Sequence, residues 1–198
     1  MQRLLLISVY TGGNTQLIFS IFLSDIRLYV FWSERSDPNI SIADEGSKNV
    51  STDEWSVSND SFQNIISTLK ITPDLDAFAT SSNTKCVQFY SKLPEAKSMG
   101  TNFFMQTLNS DFIYYICPPV CHIQRAWRTL VKCKGVVAIF VTPLWRSHAF
   151  FSDFLEGDKF KNIIVIHFIF NAVYESKSAT CLFNGSTKFE TLAMLVKT

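Results

Sequence analysis

The stretch Tyr114-Tyr115-Ile116-Cys117-Pro118-Pro119-Val120 decides the fold, because an apolar, strand-like run ends there in two consecutive prolines. Aromatic and β-branched residues favour a strand, and proline stops one because it has no backbone N–H to donate. An amphipathic helix is predicted next, at residues 122–134, and another apolar run follows at 136–142. Strand, helix and strand in this order predict a parallel pair within an α/β sheet.

The rest of the chain supplies further elements on either side of this unit. Helices are predicted at residues 15–24 and 61–69, the second capped by Asn59 or Asp60. Residues 33–59, rich in Ser, Asp, Asn and Glu, predict a connector. Short apolar runs predict strands at 26–32, 75–78, 87–90, 112–116, 136–142 and 163–170. Ligands of a doubly wound sheet bind beyond the carboxyl ends of its strands, which places a site near Cys117-Pro118-Pro119 and Thr142-Pro143-Leu144-Trp145.

Composition limits what the chain does. At 198 residues, with 47% hydrophobic and 18% charged residues, the sequence predicts a folded core and argues against disorder. The net charge of +1 provides no overall attraction to nucleic acid. Residues 112–152 contain no acidic residue but several basic ones: Arg125, Arg128, Lys132, Lys134 and Arg146. This region is a modest candidate for phosphate contacts.

Five irregularly spaced cysteines are typical of free thiols in a reducing compartment, so we predict an intracellular protein, cytoplasmic or nuclear. No uncharged apolar run reaches the length of about 20 residues that a membrane span needs, so no membrane association is expected. An alternative is a zinc site formed by Cys117, Cys121, His122 and Cys133. The absence of a C-x-x-C pair favours core thiols instead, and we predict no metal.

Three segments in fixed order carry a family resemblance: residues 75–90, then Tyr115-Ile116-Cys117-Pro118-Pro119, then Val141-Thr142-Pro143-Leu144-Trp145. Together they resemble the phage-type DNA adenine methyltransferase domain, in the degenerate form that ends the reverse transcriptase/RNase H protein of tyrosine-recombinase (DIRS-type) retrotransposons. Upstream, residues 32–56, which include Asp44, are similar to the end of the RNase H domain and the linker after it. The segment Leu182-Phe183-Asn184-Gly185 resembles the closing part of the same polyprotein.

The resemblance implies an architecture. Residues 1–52 are expected to form a truncated RNase H-like C-terminal segment and linker. Residues 53–198 are expected to form a Rossmann-like, methyltransferase-type sheet with flanking helices. The partners it implies are DNA or RNA and other parts of a transposon polyprotein.

The resemblance also implies where catalytic groups should lie. In the family, a strand ends in (Asp/Asn)-Pro-Pro-(Tyr/Phe), whose first side chain accepts a hydrogen bond from the target amine while the aromatic ring stacks on the flipped base. Here Cys117 and Val120 flank Pro118 and Pro119. A thiol is a weak acceptor and valine has no aromatic face, so the catalytic motif is degenerate.

Other family roles map onto single acidic residues. RNase H cleavage needs a carboxylate cluster around two metal ions, and Asp44 alone cannot hold them. Asp76 is implied on the wall of an S-adenosylmethionine pocket, yet no glycine lies between Pro73 and Asn83 to let a cofactor approach the backbone closely. We therefore expect no cofactor, with S-adenosylmethionine as the alternative.

Several functional hypotheses follow. The favoured one is a retrotransposon-derived, non-catalytic methyltransferase-like fragment that contacts nucleic acid through Arg125, Arg128 and Lys132. The alternative is a divergent S-adenosylmethionine-dependent DNA adenine methyltransferase. A third is a decayed copy that folds poorly. Two narrower alternatives concern single features: Cys117 as a nucleophile, and the basic residues as an ordinary solvated helix face.

Overall fold

The computed structural model describes residues 4–11, 14–23, 26–32, 55–177 and 181–198. The chain divides into two compact units, Met1–Asn49 and Val50–Thr198. This division lies near the boundary predicted between residues 52 and 53. The unit identities implied by the family resemblance stay predictions.

The first unit contains an antiparallel sheet of strands β1 (Leu4–Thr11), β2 (Asn14–Leu23) and β3 (Ile26–Trp32), with β2 in the middle. The strand predicted at 26–32 is confirmed. The helix predicted at 15–24 is wrong, because this segment pairs with both neighbouring strands. Its β-branched and aromatic residues favour extended backbone, and two partners satisfy its backbone hydrogen bonds along both edges.

The second unit is a mixed α/β structure. Its described helices are α1 (Asn59–Leu69), α2 (Ile123–Leu130) and the single turn α3 (Ala149–Ser152). Its described strands are β4 (Trp55–Val57), β5 (Leu75–Asp76), β6 (Gln88–Ser91), β7 (Gly100–Thr101), β8 (Ile113–Ile116), β9 (Val137–Pro143), β10 (Leu155–Glu156), β11 (Lys159–Phe160), β12 (Ile164–Phe170), β13 (Val173–Ser176), β14 (Gly185–Ser186) and β15 (Thr191–Lys197).

The main sheet has the strand order β12-β15-β9-β8-β5-β6-β7. Neighbouring strands from β9 to β7 are parallel, whereas β15 is antiparallel to both β9 and β12. Strands β6 and β7 therefore lie on one side of β5, and β8 and β9 lie on the other. Two small sheets accompany it, β10-β11 and β14-β13-β4.

The main sheet is covered on both faces, because successive residues of its central strands enter different cores. Tyr114 and Ile116 of β8 pack with α2 and α3, whereas Tyr115 and Cys117 pack with α1 and the β4-β13 strands. Strands β9 and β15 alternate in the same way. Two-sided burial explains why these strands are continuously apolar instead of alternating with polar residues.

Local signals account for the ends of α1. Ser58 caps its N-terminus by accepting a hydrogen bond from the Ser61 amide at 3.2 Å, so the predicted caps Asn59 and Asp60 are wrong by one and two positions. At the other end, Lys70 adopts a left-handed conformation with φ of 53°, and its N–H bonds to the Ile66 carbonyl.

Most predicted elements of the second unit are present, with shifted ends. The helix predicted at 122–134 is a 3-10 turn, Val120–His122, followed by α2, which ends at Leu130. The predicted connector at 33–59 is interrupted by β4, and its residues 33–54 lie outside the described residues. Strand β15 was missed, although it is buried in the sheet between β9 and β12.

In the described ranges, no helix combines the length and apolar character needed to cross a bilayer.

Trp127 is expected to be a major stabilising residue of the second unit. Its indole is 1% exposed, packs edge-on against Phe140 and Phe154, and donates to the Asp153 carbonyl at 3.0 Å. We predict that Trp127→Ala lowers the free energy of unfolding by about 3–5 kcal/mol, measured by urea denaturation. Arg128→Ala, at the neighbouring exposed position, should cost less than about 1 kcal/mol. Equal effects of the two substitutions would contradict this packing.

Candidate ligand-binding site

A cavity of about 360 Å³ opens in the second unit at the carboxyl ends of β5, β6 and β8. Strand order changes direction at this point, since β6 and β8 lie on opposite sides of β5. Such a switch point leaves a crevice in open α/β sheets and is a common ligand site. The lining residues used below are Phe78, Thr80, Asn83, Ser91, Lys92, Asn102, Phe103, Phe104, Cys117, Pro119, Cys121, His122 and Arg125.

The double-proline turn after β8 forms part of the cavity wall. Cys117 and Pro119 line the cavity, as expected from their place beyond a strand end. Val120 packs instead against both hydrophobic cores. The two positions that carry the amine acceptor and the stacking ring in the family motif are thus a buried thiol and a core aliphatic side chain. The double-proline turn therefore ends β8 beside the cavity and supplies neither an amine acceptor nor a stacking ring there.

Burial determines the chemistry of Cys117. Its side chain is 8% exposed, and desolvation raises the pKa of the thiol to about 12. The Tyr115 hydroxyl lies beside it, also with a raised pKa, and makes no hydrogen bond of good geometry within the described residues. Because the reactive form of cysteine is the thiolate, Cys117 is poorly suited to act as a nucleophile at neutral pH.

Asp76 lies behind the cavity wall and organises the loop that follows β5. Its Oδ1 accepts a hydrogen bond from the Phe78 amide at 3.2 Å, and its Oδ2 accepts one from the Lys85 amide at 3.0 Å. Burial raises the pKa of this carboxyl to about 6, against the lowering effect of these amides and of the Lys85 charge. Whether Asp76 contacts a cofactor stays a prediction, but its carboxylate is already engaged by backbone donors.

The same loop is built without glycine because polar side chains satisfy its backbone. The Asn83 Oδ1 accepts from the Thr80 amide at 2.7 Å, which closes the turn next to the Asp76 contacts. Described non-glycine residues with positive φ are Lys70 and Asn102, neither of which lies in this loop. The chain therefore turns after β5 in ordinary backbone conformations, and the side chain of Phe78 occupies the cavity wall.

Aromatic side chains form one wall of the cavity. The ring of Phe103 lies 4.8 Å from that of Phe78 and 5.3 Å from that of Phe104. The guanidinium carbon of Arg125 sits 4.0 Å above the Phe104 ring, and the His122 ring approaches Phe104 edge-on at 5.4 Å. Asn102, with φ of 59°, starts the turn that carries both phenylalanines by accepting from the Phe104 amide. The wall is called the aromatic wall below (Phe78, Phe103 and Phe104).

The three basic residues predicted to contact nucleic acid have different surroundings. Arg125, near the start of α2, lines the cavity. Arg128, one turn later, forms an ion pair with Asp153 at 2.9 Å, although its side chain is 60% exposed. Lys132 is exposed beyond the end of α2. Only Arg125 of the three therefore belongs to the cavity.

The metal-site hypotheses do not gain support. Asp44 lies outside the described residues. Cys117 and Cys133 pack in different hydrophobic cores. Across residues 55–177 and 181–198, no group of three or more His, Cys, Asp or Glu side chains is placed to hold a metal ion. The alternative zinc site at Cys117, Cys121, His122 and Cys133 is accordingly not assembled.

No protein-family model matches this chain, and neither a curated protein nor a solved structure is significantly similar to it.

The sequence interpretation missed several lining residues. Lys92 directly follows β6, so the rule that ligands lie beyond strand ends could have identified it from the strand predicted at 87–90. Phe103 and Phe104 had no such signal, because they lie in a 3-10 turn between strands and reach the cavity only through the tertiary fold.

The raised pKa of Asp76 predicts a pH-dependent stability. An acid whose pKa rises on folding holds its proton more tightly when folded, so this contribution is complete below about pH 4 and is lost as the pH rises through about 6. A rise from 3.8 to about 6 corresponds to a free-energy change on the order of 3 kcal/mol. We expect the stability of wild type, relative to that of Asp76→Asn, to fall by this order between pH 4 and pH 7, measured by urea denaturation. A pH-independent difference would contradict the assignment.

Cysteine accessibility gives a second prediction for the site. Cys121 is exposed and Cys117 is buried with its pKa raised to about 12. Brief iodoacetamide treatment at pH 8, followed by peptide mass spectrometry, should modify Cys121 at least about tenfold faster than Cys117. Both should react alike in urea. Fast native labelling of Cys117 would show an activated thiol and revive the nucleophile hypothesis.

Proposed function

We propose that residues 53–198 form a retrotransposon-derived, Rossmann-like methyltransferase-type domain that keeps a ligand cavity but not the chemistry of methyl transfer. In this proposal, the preceding residues are a truncated RNase H-like segment. The observation that carries the proposal is the turn Cys117-Pro118-Pro119-Val120, which follows a central parallel strand at a cavity yet presents neither an amine acceptor nor a stacking ring.

Strand order supports the Rossmann-like part of the proposal. Counted from β5, the parallel strands run third, second, first, fourth and fifth across the sheet. This is the order of the first five strands in doubly wound dinucleotide-binding sheets, where the ligand crosses the point of reversal. The double-proline turn ends the fourth strand in this count, next to that point.

The lining does not fit S-adenosylmethionine well. That cofactor carries a sulfonium and an ammonium cation beside a single carboxylate, so its net charge is positive and acceptor groups or carboxylates of the protein must balance it. The cavity instead contains Lys92, Arg125 and His122, and none of the described lining residues is acidic. Asp76, the nearest family candidate, directs its carboxylate to the amides of Phe78 and Lys85. This mismatch favours the non-catalytic reading over the divergent adenine methyltransferase.

A nucleic-acid role draws support from charge and position. Arg125 lines the cavity and Lys132 is exposed. The sequence from residue 112 to 152, which contains both, has no acidic residue. Phosphate contacts from such residues give sequence-independent, salt-sensitive binding. Binding of a nucleic-acid strand at these basic residues would suit a domain at the end of a transposon polyprotein, whose partners include nucleic acid.

Methyl transfer tests the proposal directly. The purified full chain is incubated with S-adenosylmethionine labelled at its methyl group and with double-stranded or single-stranded DNA, and nucleosides are then analysed by mass spectrometry. We expect incorporation equal to that of a heat-denatured sample, because Cys117 cannot orient an exocyclic amine. An active adenine methyltransferase serves as the positive control.

The opposite outcome is equally defined. Methyladenine above background that disappears in Asp76→Ala, with the variant shown to be folded by its thermal melt, would overturn the proposal in favour of a divergent enzyme.

A further inference from the structure

The lining of the cavity at the ends of β5, β6 and β8 indicates which ligand it binds. Resting on the function proposed above, we infer that it binds a phosphate-bearing nucleotide, with the planar base against the aromatic wall and the phosphate held by Arg125 and Lys92. The inference deepens that function by assigning the chemical class of ligand. It rests on the charge, the hydrogen-bond donors and the shape of the lining.

The charge of the lining is positive. Lys92 follows β6 and Arg125 belongs to α2, so the two cations reach the cavity from different elements. Within the described residues, neither forms an ion pair, whereas Arg128 pairs with Asp153 and Lys85 with Glu175. Two cations that line one cavity with no carboxylate partner make its potential positive, which favours an anionic ligand.

The polar atoms of the lining are mostly donors. Asn83 uses its Oδ1 to accept from Thr80, and Asn102 uses its Oδ1 to accept from Phe104. Neither Nδ2 group has a partner among the described residues, so each keeps two N–H donors. The Ser91 hydroxyl, in contrast, already donates to the Leu93 carbonyl at 2.6 Å. A surplus of donors suits phosphate oxygens, which only accept.

The aromatic wall and the volume suit a base. Aromatic side chains stack on nucleobases with little regard to base identity, which contributes about 1–3 kcal/mol per base. Because the Arg125 guanidinium lies 4.0 Å over the Phe104 ring, the cationic contact adjoins the stacking surface. A nucleotide can therefore place its base on the aromatic wall and its phosphate, one sugar away, next to the Arg125 guanidinium. The volume of about 360 Å³ falls at the lower end of the range for small-ligand pockets, roughly 300–1,000 Å³.

The same chemistry has two sources, a free nucleotide or an unpaired nucleotide within a strand. In both, a base and a phosphate are joined through one sugar. The inference concerns this nucleotide unit, which the two ligands share. A strand adds phosphates on either side and gains from the basic residues outside the cavity, whereas a free nucleotide gains only from the cavity itself.

Isothermal titration of the full chain with AMP and with adenosine tests the inference. We expect AMP to bind at least about tenfold more tightly than adenosine, because only AMP carries the phosphate. Raising NaCl from 50 to 500 mM should weaken AMP binding and leave adenosine binding nearly unchanged. S-Adenosylmethionine, whose reactive centre is cationic, should bind more weakly than AMP.

Substitutions of single residues test whether AMP binds in this cavity. Arg125→Ala should lower AMP affinity several-fold towards that of adenosine, with Lys92 still contributing, and Arg125→Lys should lose less. Lys159→Ala removes a positive charge from an exposed position outside the cavity and should leave AMP binding unchanged. Phe104→Leu removes the stacking surface and also the ring under Arg125, so it should weaken adenosine binding and weaken AMP binding at least as much. Thermal melts confirm that each variant is folded.

A single-stranded octamer of deoxyadenylate distinguishes the sources. Tighter binding of the octamer than of AMP, lost in Arg125→Ala, identifies a nucleotide within a strand. Equal or weaker binding identifies the free nucleotide. Adenosine binding as tightly as AMP, equal losses in Arg125→Ala and Lys159→Ala, or no binding of AMP to folded protein would each overturn the inference. These outcomes are separate from methyl transfer, whose product would overturn the proposed function whatever the AMP affinity.

Discussion

Burial of the central strands on both faces is the constraint on which the rest of the second unit depends. Tyr114 and Ile116 fill one core while Tyr115 and Cys117 fill the other, so β8 has no face left for function. Only the ends of these strands are accessible to a ligand. Strand β8 ends at the two prolines, because proline has no backbone N–H to continue the strand. A cavity beside this point is therefore a consequence of how the sheet is covered, and the residues just beyond β5, β6 and β8 determine what it can bind.

The loop after β5 turns without glycine because side chains satisfy its backbone. Glycines at such a turn let a ligand approach the backbone, but they are not needed to make the turn itself. Here Asp76 and Asn83 bond the amides of Phe78, Lys85 and Thr80, and the loop closes without positive φ. These three backbone donors are thus satisfied internally, and side chains form the cavity surface.

The sequence predicted the parts of the fold that depend on local pattern. The strand–helix–strand unit from β8 through α2 to β9, and the position of Cys117 at a strand end, follow from apolar periodicity and proline chemistry. Elements whose state depends on distant partners were predicted poorly. Strand β2 was mistaken for a helix, and β15 was missed, because each is fixed by strands on both sides. Arg125 was found by its charge, but its difference from Arg128 depends on Asp153 and Phe104, which the sequence could not place beside them.

Helix α2 links the core to the charge of the cavity. Its apolar residues Ile123, Ala126, Trp127 and Leu130 are buried against the sheet. The Trp127 indole donates to the Asp153 carbonyl, and Arg128 pairs with the carboxylate of the same residue. Both contacts resist rotation of α2 about its axis, because they tie the neighbouring residues Trp127 and Arg128 to the same residue, Asp153. With rotation restricted, Arg125 is kept over Phe104 at the cavity. The packing that stabilises α2 thus also determines which cation faces the cavity.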